Sequence, residues 1–142
     1  MTRIAILGAT SQIARDLIVS FSANTNNHLS LFARRTDDTK KWLASEGLSD
    51  RYLVDEFPAF AKHEFDAVIN FVGAGNPSQI AAMGNSIFDL TLHFDELVLD
   101  YLQKYPACRY LFLSSGAAYG SDFREPATRE TPAVVAINNL AP

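Results

Sequence analysis

Five short apolar runs, separated by segments with helical periodicity, constrain the fold of this chain more than any other feature. Most of the runs are continuously apolar, which is typical of parallel strands that are covered on both faces. They extend over Arg3–Leu7, Leu29–Ala33, Tyr52–Val54, Ala67–Val72 and Tyr110–Leu113. This alternation of strands and helices predicts an α/β domain with a doubly wound parallel sheet of about five strands.

The segments between the runs predict helices of different lengths. The clearest helix covers about residues 85–105, where apolar residues recur at helical spacing and most acidic residues lie outside the apolar face. Another helix follows the first run, with Ser11 as its N-cap. Trp42 and Leu43 indicate a shorter helix after the second run, and the connection around Phe57–His63 is short. Right-handed crossovers then put ligands at the strand ends, near the first and fourth strands, where the winding reverses.

Composition excludes several classes of protein. The 142 residues suit one domain, and 48% apolar with 20% charged residues is ordinary for a globular chain. The net charge of −4 gives no reason to expect nucleic acid or an acidic membrane as a partner. The apolar runs are too short for a membrane span or a signal peptide, Cys108 is the single cysteine, and the three histidines lack metal-ligand spacing. We therefore expect a cytoplasmic protein without a disulfide or a metal site.

The first apolar run leads into "GATSQIA", residues 8–14, and then into a helix. A tight turn at this place exposes backbone N–H groups at a helix N-terminus, where a pyrophosphate is favoured. The candidate contacts are Gly8, Thr10, Ser11, Gln12 and Ile13. The alternative is a tight turn that binds nothing. Because we expect the clash to lie at the ligand face, Gly8→Val should abolish cofactor binding and leave the fold largely intact.

The second run is followed by two basic residues, Arg34 and Arg35. A fold that prefers NAD usually has an acid here, which accepts a hydrogen bond from the ribose 2′-hydroxyl. Two guanidinium groups instead suit the 2′-phosphate of NADP. The alternative is a solvated basic pair that answers the nearby Asp37 and Asp38.

Two further strand ends carry candidate cofactor contacts. Asp55 ends the third run, where it could meet an adenine amino group; a surface acid is the alternative. Phe71, Val72 and Gly73 end the fourth run and lead into further small residues. Small residues would let a cofactor ribose lie against the backbone, although a plain flexible loop would also use them.

The order of these segments resembles the extended short-chain dehydrogenase/reductase family, the NAD(P)-dependent epimerase/dehydratase group. The similarity rests on "GATSQIA", the basic pair, "DAVINFVGAG", "YLFLSSGAAYG" and "EPATRETP", and it covers the chain from end to end. The family's Gly-x-x-Gly-x-x-Gly is present as Gly8, Ser11 and Ala14, which is a departure. The resemblance implies a Rossmann-like fold that binds NADP, with NAD as an alternative cofactor.

The resemblance also implies catalytic residues. Ser115 falls on the family's catalytic Ser/Thr, which hydrogen-bonds the reacting oxygen of the substrate, and Glu130 falls on an acid common in that loop. The family's base is a tyrosine followed four residues later by a lysine. No such pair is present on a helix here, since Tyr119 is followed four positions on by Phe123.

We therefore interpret residues 1–142 as an NAD(P)-binding Rossmann domain, with 116–142 as an incomplete active-site loop region. By the resemblance, we expect the later strands and the substrate domain of the family to lie outside these residues. The expected function is that of the N-terminal domain of an oxidoreductase, epimerase or dehydratase. Its substrate would be a small molecule with a hydroxyl or carbonyl group, such as a sugar nucleotide, and a homodimer is a further expectation. The alternatives are a non-catalytic NADP(H) sensor or scaffold, and an interaction module that binds no ligand.

Overall fold

A parallel sheet organises the chain in the computed structural model, which describes residues 1–23, 26–73, 82–84 and 86–113. The strands are β1 (Thr2–Leu7), β2 (Asn27–Phe32), β3 (Leu53–Asp55), β4 (Ala67–Asn70) and β5 (Arg109–Phe112). They are ordered β3-β2-β1-β4-β5, and each neighbouring pair is parallel. The predicted doubly wound, Rossmann-like α/β fold is thereby confirmed.

Helices connect these strands much as the apolar periodicity predicts. They are α1 (Gln12–Ser22), α2 (Thr36–Ser45) and α3 (Ser86–Lys104), and the connection from β3 to β4 contains a 3-10 helix, Phe57–Lys62. The prediction was too long at the ends of the second, fourth and fifth strands. Ala33 lies past β2, Phe71 and Val72 lie past β4, and Leu113 lies past β5. The amides of Ala33 and Phe71 still donate to carbonyls of the neighbouring strands, those of Asp55 and Leu7, at 3.1 and 2.9 Å.

The side chains of the central strands β1, β2 and β4 alternate between two hydrophobic clusters, one on each face of the sheet. Ile4 and Ile6 of β1 belong to the cluster that includes Ala14 and Ile18 of α1 and also Leu43 of α2. Ala5 and Leu7 belong to the opposite cluster, whose members from α3 and the 3-10 helix include Phe60, Val98 and Tyr101. Burial on both faces explains why the strand sequences are continuously apolar.

A buried tyrosine fastens α3 to the chain segment before β4. The hydroxyl of Tyr101 accepts a hydrogen bond from the Phe65 amide at 2.8 Å and donates one to the His63 carbonyl at 3.2 Å. Burial raises the pKa of Tyr101 to about 12. The phenol therefore stays protonated near neutral pH, as its donor role requires.

Apolar side chains remain exposed on α3 and along β5. On α3 these are Phe88, Leu92 and Leu99, and at the end of the last strand they are Leu111, Phe112 and Leu113. Within the described part of the chain, no strand pairs with the outer edge of β5. Among those same residues, no helix is both long enough and apolar enough to cross a lipid bilayer.

Candidate functional site

The turn after β1 is held by the end of β2. The amides of Gly8 and Ala9 both donate to the carbonyl of Phe32, at 2.9 and 3.2 Å, and the amide of Ser11 donates to Gly8 at 2.9 Å. Gly8 has a φ of +80°, a conformation that side chains with a Cβ rarely adopt. The turn directs the chain from the carboxyl end of β1 straight into α1.

Position 8 requires glycine because of the protein's own backbone, independently of any ligand. A Cβ there would lie 2.9 Å from the carbonyl carbon of Phe71 and 3.0 Å from the amide nitrogen of Val72. These backbone atoms directly follow β4, so the turn after β1 and the end of β4 are in contact. The expectation that Gly8→Val leaves the fold largely intact is therefore wrong, because the added side chain would meet the protein's own backbone.

The first turn of α1 is suited to an anion. Ser11 is the N-cap, as predicted, but its side chain makes no capping hydrogen bond, and the first helical turn contains no acidic residue. The side-chain amide of Gln12 donates to the Asp16 carboxylate at 3.0 Å. Ile13 is exposed and Thr10 is half-buried. An uncapped helix N-terminus carries free amides and a partial positive charge, both of which favour a phosphate group.

The two arginines after β2 differ in their surroundings. Both are exposed, but the Arg35 side chain forms an ion pair with Asp38 in the first turn of α2, with Nε 3.1 Å from Oδ2. For Arg35 this agrees with the alternative interpretation, in which the basic residue pairs with a nearby acid. Arg34 has no ion-pair partner among the described residues, so its guanidinium is available to a ligand.

Asp55 is the last residue of β3 and is half-buried, next to Phe32 in the register of the sheet. Its Oδ1 accepts a hydrogen bond from the following amide, that of Glu56, at 2.8 Å. The carboxylate is therefore partly engaged by its own chain, and it lies two strands away from the Gly8 turn.

Asn70, at the end of β4, carries polar groups that sequence reasoning did not single out. Its side chain is buried, accepts a hydrogen bond from the Val72 amide at 2.9 Å, and donates one to the Tyr110 hydroxyl at 3.1 Å. Tyr110 in turn donates to Asp95 of α3 at 3.1 Å. The available signal was a lone amide side chain inside the otherwise apolar run "AVINFV".

The structure brings some of the predicted site residues together. The crossovers from β1 and from β4 lead to opposite sides, so the Gly8 turn and the half-buried Phe71 and Val72 meet at the reversal of winding, with the exposed Gly73 next to them. Open α/β sheets bind ligands in such a crevice. Ser115 lies outside the described residues, as do Glu130 and the rest of the region 116–142.

Two phenols and the cysteine thiol of the described part are poor candidates for a general base. Burial raises the pKa of Tyr52 and of Tyr110, and it also raises that of the buried Cys108 thiol. None of these groups is therefore readily ionised near neutral pH. Within the described part, no three His, Cys, Asp or Glu side chains are grouped so that they could hold a metal ion.

This arrangement defines a dinucleotide-type α/β fold, and comparison with protein-family models identifies the family. The chain belongs to the NAD dependent epimerase/dehydratase family, whose model matches residues 4–139. No sequence among the curated proteins matches the chain significantly.

Solved structures of similar fold include several sugar-nucleotide epimerases. UDP-glucose 4-epimerase from Bifidobacterium longum, in complex with NAD+ and UDP, has a TM-score of 0.71 at 18% identity over 94% of this chain and 43% of its own. The UDP-Glc/GlcNAc 4-epimerase from Campylobacter jejuni has a TM-score of 0.74 at 14% identity, with the same coverage of 94% and 43%. UDP-glucuronic acid 4-epimerase from Bacillus cereus has a TM-score of 0.72 at 12% identity over 93% and 46%. The chain therefore spans less than half the length of these proteins.

Proposed function

We propose that this chain is the cofactor-binding domain of an NAD(P)-dependent oxidoreductase, epimerase or dehydratase. Its substrate class would be small molecules with a hydroxyl or carbonyl group, in particular sugar nucleotides, because several of the similar structures are UDP-sugar epimerases. The domain comprises residues 1–142, with Ser115 as a catalytic residue and 116–142 contributing part of the active-site loop region.

One observation carries the proposal. The Gly8 turn leaves β1 at the reversal of winding and leads directly into a helix whose N-cap side chain does not cap it. Neither a carboxylate nor a hydroxyl of the first turn satisfies the helix N-terminus, so a pyrophosphate would meet free amides there. Thr10, Ser11, Gln12 and Ile13 would then flank the pyrophosphate. Phe71, Val72 and Gly73 would border the rest of the dinucleotide.

We further propose that the cofactor is NADP rather than NAD. A 2′-hydroxyl is normally recognised by an acid near the end of β2, and here Arg34 occupies that place, exposed and without an ion-pair partner in the described part. A guanidinium can donate two parallel hydrogen bonds to a phosphate. Arg35 would contribute after leaving Asp38, at small cost, because exposed ion pairs are worth about 0–1 kcal/mol. Asp55 would contact the adenine.

Calorimetric titration with NADP+ and NAD+ tests both proposals. We expect NADP+ to bind more tightly. Arg34→Ala should weaken NADP+ by about 1.5–3 kcal/mol, the usual worth of a charged hydrogen bond, and leave NAD+ binding unchanged. Lys41→Ala is the matched control, since it removes the same charge from an exposed position on α2.

The possible results separate the two proposals. If neither dinucleotide binds, the proposed function fails. If both bind equally, or if Lys41→Ala weakens NADP+ as much as Arg34→Ala does, only the NADP preference fails.

A second candidate function is a dinucleotide-binding sensor or scaffold that does not turn over substrate. One observation favours it: no tyrosine of the 142-residue sequence is followed four positions later by a lysine. The chain spans less than half the length of the similar epimerases. We also propose a cytoplasmic location and a homodimer; sedimentation of the purified chain tests the latter.

A further inference from the structure

Asn70 is a buried polar residue at the carboxyl end of β4, with 1% of its surface exposed. Both ends of its amide group have partners, namely the Val72 amide and the Tyr110 hydroxyl. A buried amide with both ends hydrogen-bonded fixes the groups around it, because losing either bond would leave a desolvated polar atom.

We propose that Asn70 is a positioning residue for the dinucleotide. Its side-chain oxygen would hold the segment Phe71–Gly73 in the conformation against which the Gly8 turn rests. This inference rests on the proposed function, since it assigns Asn70 a role toward the same cofactor without direct contact.

Three close approaches connect Asn70 to the Gly8 turn. The bond from the Val72 amide to Asn70 closes a local turn of the kind that Asn side chains form with the residue two positions on. The Phe71 amide donates to Leu7 of β1 at 2.9 Å, which ties the same segment to the residue before Gly8. The position that a Cβ on Gly8 would take is 2.9 Å from Phe71, so movement of this segment would shift the Gly8 turn.

The other end of the Asn70 amide serves the fold. Tyr110 accepts from Asn70 and donates to Asp95, which joins β4 to β5 and to α3. These bonds lie on the side of Asn70 away from Val72. We therefore expect loss of the Tyr110 hydroxyl to lower stability and to leave the segment Phe71–Gly73 in place. A variant that affects only stability can thus be compared with one that also releases this segment.

The experiment compares three variants of the 142-residue chain by NADP+ titration, thermal unfolding and amide hydrogen exchange. Asn70→Leu removes both bonds at similar volume and should weaken NADP+ binding about tenfold, with faster exchange at Val72. Tyr110→Phe should lower the Tm but keep the NADP+ Kd within about twofold, with Val72 still protected. Asn70→Asp keeps the acceptor for the Val72 amide, although it adds a charge near Asp95. Its affinity for NADP+ should be closer to that of the unaltered chain than to that of Asn70→Leu.

The results decide the inference in each case. Unchanged affinity in Asn70→Leu overturns it, and so does a loss in Tyr110→Phe as large as that in Asn70→Leu, because Asn70 would then act only through stability. If Asn70→Asp does not fold, the contrast between the other two variants and the exchange at Val72 still decide. If the unaltered chain binds no dinucleotide, the proposed function fails and this inference fails with it. If the unaltered chain binds NADP+ but the variants do not show the expected differences in affinity, only this inference is overturned.

Discussion

Gly8→Ala is expected to destabilise the fold strongly, for two separable reasons. The positive φ of +80° is unfavourable for a residue with a Cβ, at a cost of about 1–2 kcal/mol. The added Cβ would also lie 2.9–3.1 Å from backbone atoms of Phe71 and Val72, which cannot rotate away as a flexible side chain could. Overpacking of this kind costs about 1–3 kcal/mol, so we expect a total loss of about 2–5 kcal/mol.

Urea unfolding followed by circular dichroism measures this loss. With a slope of about 2 kcal/mol per molar urea, the unfolding midpoint should fall by about 1–2.5 M. Gly47→Ala is the matched control, because Gly47 also has a positive φ, +69°, but a Cβ there would meet nothing within 4 Å. It should lose only the conformational part, about 1–2 kcal/mol.

The difference between the two variants measures the contact between the Gly8 turn and the end of β4. Equal losses in Gly8→Ala and Gly47→Ala would refute the reasoning, since the close approach of Phe71 would then have no energetic consequence. A stable Gly8→Ala protein that fails to bind NADP+ would instead restore the interpretation in which only the ligand requires glycine.

Two other predictions follow from the tyrosines. Tyr101→Phe should lower the free energy of unfolding by about 1–3 kcal/mol, because it leaves the Phe65 amide and the His63 carbonyl without their partner. Tyr105→Phe is the control and should cost little, because the Tyr105 hydroxyl makes no hydrogen bond within the described residues. Since burial raises the pKa of Tyr101 to about 12, above its unfolded value, stability should be intact below about pH 10 and decline from there toward pH 12; a Tyr101→Phe protein with the same alkaline decline would contradict this assignment. The chain alone, given NADP+ and UDP-glucose, should form neither NADPH, followed by absorbance, nor the 4-epimer of the sugar nucleotide, followed by chromatography. Turnover that depends on Tyr119 would show that these 142 residues do supply a catalytic base.

The sequence alone was sufficient to predict the sheet and its connections. Residues such as Ile4–Leu7 are apolar without interruption because both sheet faces are covered, and the periodicity of residues 86–104 follows the side of α3 that packs on the sheet. Those patterns are local, since each depends on burial of a short segment. The reversal of winding between β1 and β4 followed from the handedness of the crossovers, and the family resemblance followed from motif order.

Tertiary structure decided what the local patterns could not contain. The need for glycine at position 8 depends on Phe71, which is distant in sequence and comes close only when β4 pairs with β1. The hydrogen-bond partners of Asn70 include Tyr110, which in turn donates to Asp95, and both residues are distant from Asn70 in sequence. The difference between Arg34 and Arg35 arises because only Arg35 forms an ion pair with Asp38 of α2. A sequence motif records which groups are present at a strand end, whereas their roles depend on contacts between segments that only the folded sheet brings together.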